Sequence, residues 1–191
     1  YEPFGSLMIG DCLQRERDMF QGGAELGTHW SFYAYGLGTL ADSLAAVKQA
    51  VYTDHLLSIG ALAEALHENF RGEEALRQTL STRMPHYGND TDAADLEGKY
   101  VLRVFDDLVL SYNRPDCPEK YVSTLFGYFF HIYHGEITGA TPNGRLRGEP
   151  FSDSMGPSQG KDVSGPTKLL NSALKQDFST MTGGYALNVK I

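Results

Sequence analysis

The chain has 191 residues and a mass of 21.1 kDa, enough for one domain with a sizeable core. Hydrophobic residues make up 41% and charged residues 21%, which excludes an intrinsically disordered chain. A net charge of −8 and a pI near 5.2 argue against nucleic acid or an anionic membrane as a partner, because both need a basic footprint.

No apolar run approaches the roughly 18 residues of a membrane span. The first residues show no charged-then-apolar leader pattern. Cys12 and Cys117 lie far apart without a CxxC spacing. They give no metal or redox signature and fit a reducing cytoplasm, so cytoplasmic is the expected location. The chain opens Tyr-Glu-Pro-Phe and ends Leu-Asn-Val-Lys-Ile, which suggests a piece of a longer protein.

In chain order, residues 4–19 are predicted as a first helix. Leu7, Met8, Cys12 and Leu13 recur near a 3.6 period, and Gln21-Gly22-Gly23 stops it. Residues 24–38 read as a strand or extended loop, rich in aromatics and punctuated by Gly27, Gly36 and Gly38. A strong helix spans 39–51, with Leu40, Leu44, Val47 and Val51 on one face and small Ala41, Ala45 and Ala46 beside it. Ser58 is the expected N-cap of a helix to Phe70. A shorter helix covers 73–82, a loop 84–91, and the longest helix 92–112.

After a loop at 114–118, residues 122–133 form the most strand-like segment. Its nearly continuous apolar and aromatic run suits a strand covered on both faces. Residues 135–165 read as a long loop with seven glycines and three prolines, hence functional or packed on the rest of the chain. A helix over 166–178 and a strand over 185–191 complete the list. The expected class is α/β and helix-rich, with too few strands to close a sheet of its own.

Simple catalytic spacings are weak. On a strand, His131 and His134 would point to opposite faces and could not share a metal. Adjacent Asp106 and Asp107 on a helix do not face each other. No HExxH, GxSxG, GxxxxGK[ST] or GxGxxG motif is present. The stretch Thr141-Pro142-Asn143-Gly144-Arg145 specifies a tight turn with a positive φ near Asn143 or Gly144. On its own it could be an ordinary surface turn.

The run Gly139-Ala-Thr-Pro-Asn-Gly-Arg-Leu-Arg-Gly-Glu-Pro-Phe151 resembles the Gly-x-Thr-Pro-Asp-Gly-Arg-Arg-x-Gly-Glu-Pro motif of the glycyl radical enzymes, the pyruvate formate-lyase-like family. Gln21-Gly-Gly-Ala24 resembles that family's Asn-Gly-Gly-Ala turn. Residues 40–48, Leu-Ala-Asp-Ser-Leu-Ala-Ala-Val-Lys, resemble its Val-Ala-Asp-Ser-Leu-Ala-Ala-Ile-Lys helix. Tyr87-Gly-Asn-Asp90 and the run from Gly156 through Gly165-Pro-Thr to Asn171, Ser172 and Lys175 match two further blocks in the right order.

The resemblance covers essentially all of 1–191. It implies a single partial domain, one segment of a ten-stranded α/β barrel lying between the cysteine finger loop and the glycyl radical loop. It implies a lyase, dehydratase, decarboxylase or formate acetyltransferase-like radical enzyme, including transferase members. It further implies a homodimer, and a glycyl radical installed by a radical S-adenosylmethionine activase. Neither Cys12 nor Cys117 sits in the family's Gly-Cys-x-Glu context, and Gly127 precedes rather than follows the Thr-Pro-Asn-Gly-Arg run. No catalytic residue is therefore expected within the chain, and alone it should be inactive.

Its expected contribution is pocket wall. Matching to the family's strand before the Thr-Pro-Asp-Gly-Arg motif puts Phe126 and Tyr128 inward, with Phe130 next on the same face. His29 and Trp30, within the 27–35 stretch, are the further candidates. Glu25, Asn143 and Leu146 depart from the usual residues. An aromatic wall suits a bulky or aryl substrate. The alternatives are that these rings pack the barrel core, or that the chain is a non-catalytic paralogue or interaction module.

Overall fold

The structure is a computed structural model that describes residues 1–24, 29–117 and 120–189. Two short helices, α1 (Pro3–Leu7) and α2 (Gly10–Arg15), replace the single predicted first helix. The chain is extended at Ile9 between them, and Glu16 closes α2 with a left-handed φ of 52°. Asp18 supplies the reason. Its carboxylate accepts from the Glu2 and Phe20 amides at 2.7 and 2.9 Å and from Ser6 Oγ at 3.2 Å, folding the segment back on itself. Those same bonds hold the Asp18 carboxyl below its usual range.

Strand β1 (His29–Ala34) leads into α3 (Leu37–Val47), which widens into a π-type turn over Lys48–Thr53. Helices α4 (Ile59–His67), α5 (Glu74–Arg83) and α6 (Asp92–Ser111) follow. Ser58 caps α4 as expected, its hydroxyl accepting from the Ala61 amide at 3.1 Å. Strand β2 (Lys120–Leu125) pairs parallel to β1, with Ala34 opposite Leu125. Tyr185 bridges the other side of Leu125, also parallel, so the 183–187 segment runs beside β2. A parallel pair needs a long crossover, and α3 to α6 supply it.

Helix α3 lies at the centre of two cores. Ala41 and Ala45 pack with Tyr87, Leu102 of α6, Leu125 of β2, Met155 and Ala173. Ala46 and Ala50 pack with Leu62, Ala65, Phe70 and Leu80. Small side chains on both flanks let neighbouring elements approach α3 closely. No helix among the described residues is long and apolar enough to cross a membrane.

The predicted strand over 122–133 is corrected. β2 stops at Leu125, the chain turns at Phe126–Phe129, and α7 (Phe130–Ile137) follows. A short apolar run is compatible with either element, and tertiary contacts decide. Here the Gly127 amide donates to Ser154 Oγ at 2.9 Å, and Tyr128 takes a φ of 44°. A Cβ at Gly127 would lie 2.9 Å from Asp153 Oδ1, so a glycine permits this close turn.

Residues 138–165 carry no regular element, but they are packed into the protein rather than loose on it. Asn143, Arg145, Ser152, Ser154 and Ser158 are all buried there. Helix α8 (Pro166–Leu174) then leads to the 183–187 segment.

Candidate active-site wall

Strand parity sorts the side chains into two faces. Ala34 and Leu125 pack on the helical core, and Ser123 Oγ donates to Asp106 of α6. Trp30 and Phe32 share that helix-side face with Ala34. His29, Ser31 and Tyr33 point the other way, with Val122 and Thr124 of β2. The structure therefore puts His29 and Trp30 on opposite faces.

At the carboxyl ends of the two strands the open face carries a ring cluster. Phe126 meets Tyr128 edge-on at 4.4 Å between centroids, and Tyr128 lies 6.3 Å from Tyr33. Tyr33 and Tyr128 are 49% and 63% exposed, which leaves these rings free to touch another group. Phe130 does not continue the face of a strand. It opens α7, stacks 6.4 Å from Tyr35, and reaches His134 one turn on.

Sequence alone does not pair Tyr35 with His134, which it places only as a histidine unable to share a metal with His131. Their rings stack at 5.4 Å and 7° while the Tyr35 hydroxyl bonds His134 Nδ1. Burial pushes the Tyr35 phenol up, so the hydroxyl keeps its proton and can donate to Nδ1. A neutral imidazole accepting at Nδ1 carries its proton on Nε2, where it can serve as a donor. The signal was in the sequence: on a helix, Phe130 and His134 at i and i+4 share a face.

His131 is likewise corrected from strand to helix. It turns to Asp153, with Nδ1 3.6 Å from the carboxylate, so the two histidines of α7 serve different partners. Glu25 and Gly27 lie outside the described residues.

Four of the five sequence blocks have a different role. Asp42 of α3 is fully buried and accepts from the Tyr87 amide at 2.7 Å and Ser158 Oγ at 2.6 Å. Asn143 donates in turn to Ser158 at 3.3 Å. Arg145 is buried and gives its guanidinium to the carbonyls of residues 135, 138, 139, 146 and 149, so it is spent on holding the loop. Asn89 bonds the 161 carbonyl and the 164 amide, and Asp90 binds Lys168 and Lys175 of the last block. Four of the blocks thus form one polar clasp that fixes the 138–165 segment behind the strand ends.

Parallel strands feeding a helical layer, with aromatic and polar side chains gathered at their carboxyl ends, form the arrangement in which α/β proteins place their sites. The comparisons agree with that architecture. The family model for pyruvate formate lyase-like proteins matches residues 1–135. Trans-4-hydroxy-L-proline dehydratase of Clostridioides difficile is 37% identical over 187 residues, covering 97% of this chain and 23% of the relative. Isethionate sulfite-lyase of Oleidesulfovibrio alaskensis is 35% identical over 188 residues, covering 96% and 22%. The glycerol-bound B12-independent glycerol dehydratase of Clostridium butyricum superposes with a TM-score of 0.86 at 32% identity, covering 96% of this chain and 23% of that one. The chain belongs to the pyruvate formate lyase-like family, the glycyl radical enzymes. It spans less than a quarter of the length of these relatives.

Proposed function

We propose that these 191 residues are one part of a single barrel domain in a glycyl radical lyase or dehydratase, and that they furnish part of the substrate-pocket wall. The barrel is the ten-stranded kind the resemblance implies, with β1 and β2 as neighbouring strands of it. The whole protein would act in the cytoplasm as a homodimer. Its glycyl radical, installed by a radical S-adenosylmethionine activase, would supply hydrogen-atom abstraction from residues outside this chain.

The observation that carries this reading is the cluster Tyr33, Tyr35, Phe126, Tyr128, Phe130 and His134, gathered where the carboxyl ends of the parallel strands meet α7. His29 lies on the same face at the start of β1. The aromatic rings suit a substrate with a bulky or aryl body. The Tyr35–His134 pair adds a directed donor at Nε2 for a polar group on it.

The test is kinetic, on the full-length activated enzyme. Phe126→Ala and Tyr128→Ala are expected to raise KM for aryl substrates at least tenfold and for small polyols much less. Trp30→Ala, on the helix-side face, should change neither by more than twofold. Equal losses on both substrate classes would overturn the aromatic preference. Wild-type KM values in both wall variants would overturn the wall itself.

A further inference from the structure

A cavity lies away from the strand-end rings, between α5 and the clasped loop. Its volume is about 370 Å³, and Arg77, Ser81, Asn143, Arg145, Glu149 and Lys161 are among its lining residues. It therefore holds three cations against one carboxylate. Arg145 is spent on backbone carbonyls, as described above, and Glu149 is tied to the Leu146 amide at 2.9 Å.

Arg77 and Lys161 stand differently. Neither has a carboxylate within 4 Å among the described residues. Lys161 Nζ donates to the Ser81 carbonyl at 2.5 Å and to Ser81 Oγ at 2.6 Å, leaving its third N–H unused. Arg77 gives one N–H to the Gly144 carbonyl at 3.3 Å. Both cations converge on one spot, because Gly144 is itself pressed against Ser81. A Cβ at Gly144 would lie 2.8 Å from Ser81 Cβ. Burial pushes the Lys161 ammonium below its ordinary range; the Asp42 charge opposes that, Arg77 pushes it further down, and Glu149 on the cavity wall opposes it again. One wall carboxylate does not balance three wall cations, so two desolvated cations side by side remain short of negative charge.

We propose that this cavity binds a small tetrahedral oxyanion of the phosphate or sulfate class, with Lys161 and Arg77 supplying the charge. The anion would complete the donor set around Ser81 and tie α5 to the 138–165 segment, stabilising the fold by mass action. It makes the clasp behind the wall responsive to an anion that is not the substrate.

Calorimetric titration and thermal unfolding of the whole protein, at fixed ionic strength, test this. Inorganic phosphate, sulfate and a phosphomonoester should each bind saturably, and chloride should not. Tighter binding of the monoester would mark a phosphorylated metabolite as the source, and equal affinity a free anion. Arg77→Gln and Lys161→Met should each weaken binding at least tenfold. Because Lys161→Met removes a bond to α5, acylation of Lys161 in the wild type is measured too, and phosphate should protect it. Stabilisation linear in salt and equal for chloride would overturn the proposal. So would unaltered phosphate affinity in Arg77→Gln, or no protection of Lys161.

Discussion

Replacing Asp42 with alanine removes the acceptor on which the clasp converges. The Tyr87 amide and the Ser158 hydroxyl, both buried, lose their bonds of 2.7 and 2.6 Å. Ser158 also accepts from Asn143 at 3.3 Å, so the loss at Asp42 unsettles the next link of the clasp as well. His86 Nδ1 also loses the carboxylate 3.2 Å away, a contact close in distance but off the line of a hydrogen bond. Each orphaned buried donor costs about 1–3 kcal/mol, so two donors give about 2–6 kcal/mol before the histidine is counted. We expect Asp42→Ala to destabilise by about 4–6 kcal/mol, a large part of a domain's total of about 5–15 kcal/mol. Asp42→Asn keeps the shape and one acceptor, and should cost about half as much. Urea unfolding of the full-length protein measures the shift in midpoint, and limited proteolysis reports whether residues 138–165 come free first. A loss below about 1.5 kcal/mol for the alanine variant would refute the reasoning, since that is the scale of one ordinary hydrogen bond.

Two further predictions concern the same clasp. Gly144 sits at φ +87°, and a Cβ there would lie 2.8 Å from Ser81 Cβ and 2.9 Å from the Arg77 carbonyl. Gly144→Ala should cost about 1–2 kcal/mol for the left-handed backbone and about 1–3 kcal/mol for overpacking; a midpoint shift worth under about 1 kcal/mol would show that α5 yields freely. The Asp90 carboxyl is held well below the usual range by Lys168, then Lys175 and Asn171. Its contribution is therefore present above the ordinary carboxylate pKa of about 4 and is lost as pH falls below it. Burial pulls Lys175 down, but its bonds to Asp92, Asp95 and Asp90 outweigh that and raise it. Its contribution thus persists below the ordinary lysine pKa of about 10.4. Amide exchange in α8, corrected for intrinsic rate, should be slow between about pH 5 and 10 and should quicken near pH 3. Asp90→Asn should remove the acid step, and an unchanged step in that variant would assign it elsewhere.

The sequence by itself determined the family and the four helices between β1 and β2, but not the pair α1 and α2 nor α7. Five ordered blocks are a specific pattern, and α3 to α6 were legible from apolar spacing, caps and breakers; on α3 the side chains that enter the core are Ala41, Ala45 and Ala46 rather than Leu40, Leu44 and Val47. It also drew His29, Trp30, Phe126, Tyr128 and Phe130 out as candidates, because β1 and the turn after β2 are rich in aromatics in the chain itself.

Tertiary structure alone decided which way those rings point. The apolar run 122–133 suits a strand or a helix equally. Only the Ser154 bond to Gly127 and the turn at Tyr128 break it at Leu125. That break moved Phe130 and His134 onto one helix face and brought them to Tyr35, 99 residues from His134 in sequence. Trp30 went to the helix side because Ala34, four residues on, packs into the core. The blocks themselves turned from markers into a clasp only when Asp42, Asn143 and Ser158 met, the outer two 116 residues apart. Periodicity is a local property of the chain and survives in the sequence. A buried acceptor's choice of donors is a long-range property, and it exists only once the core has brought the segments together.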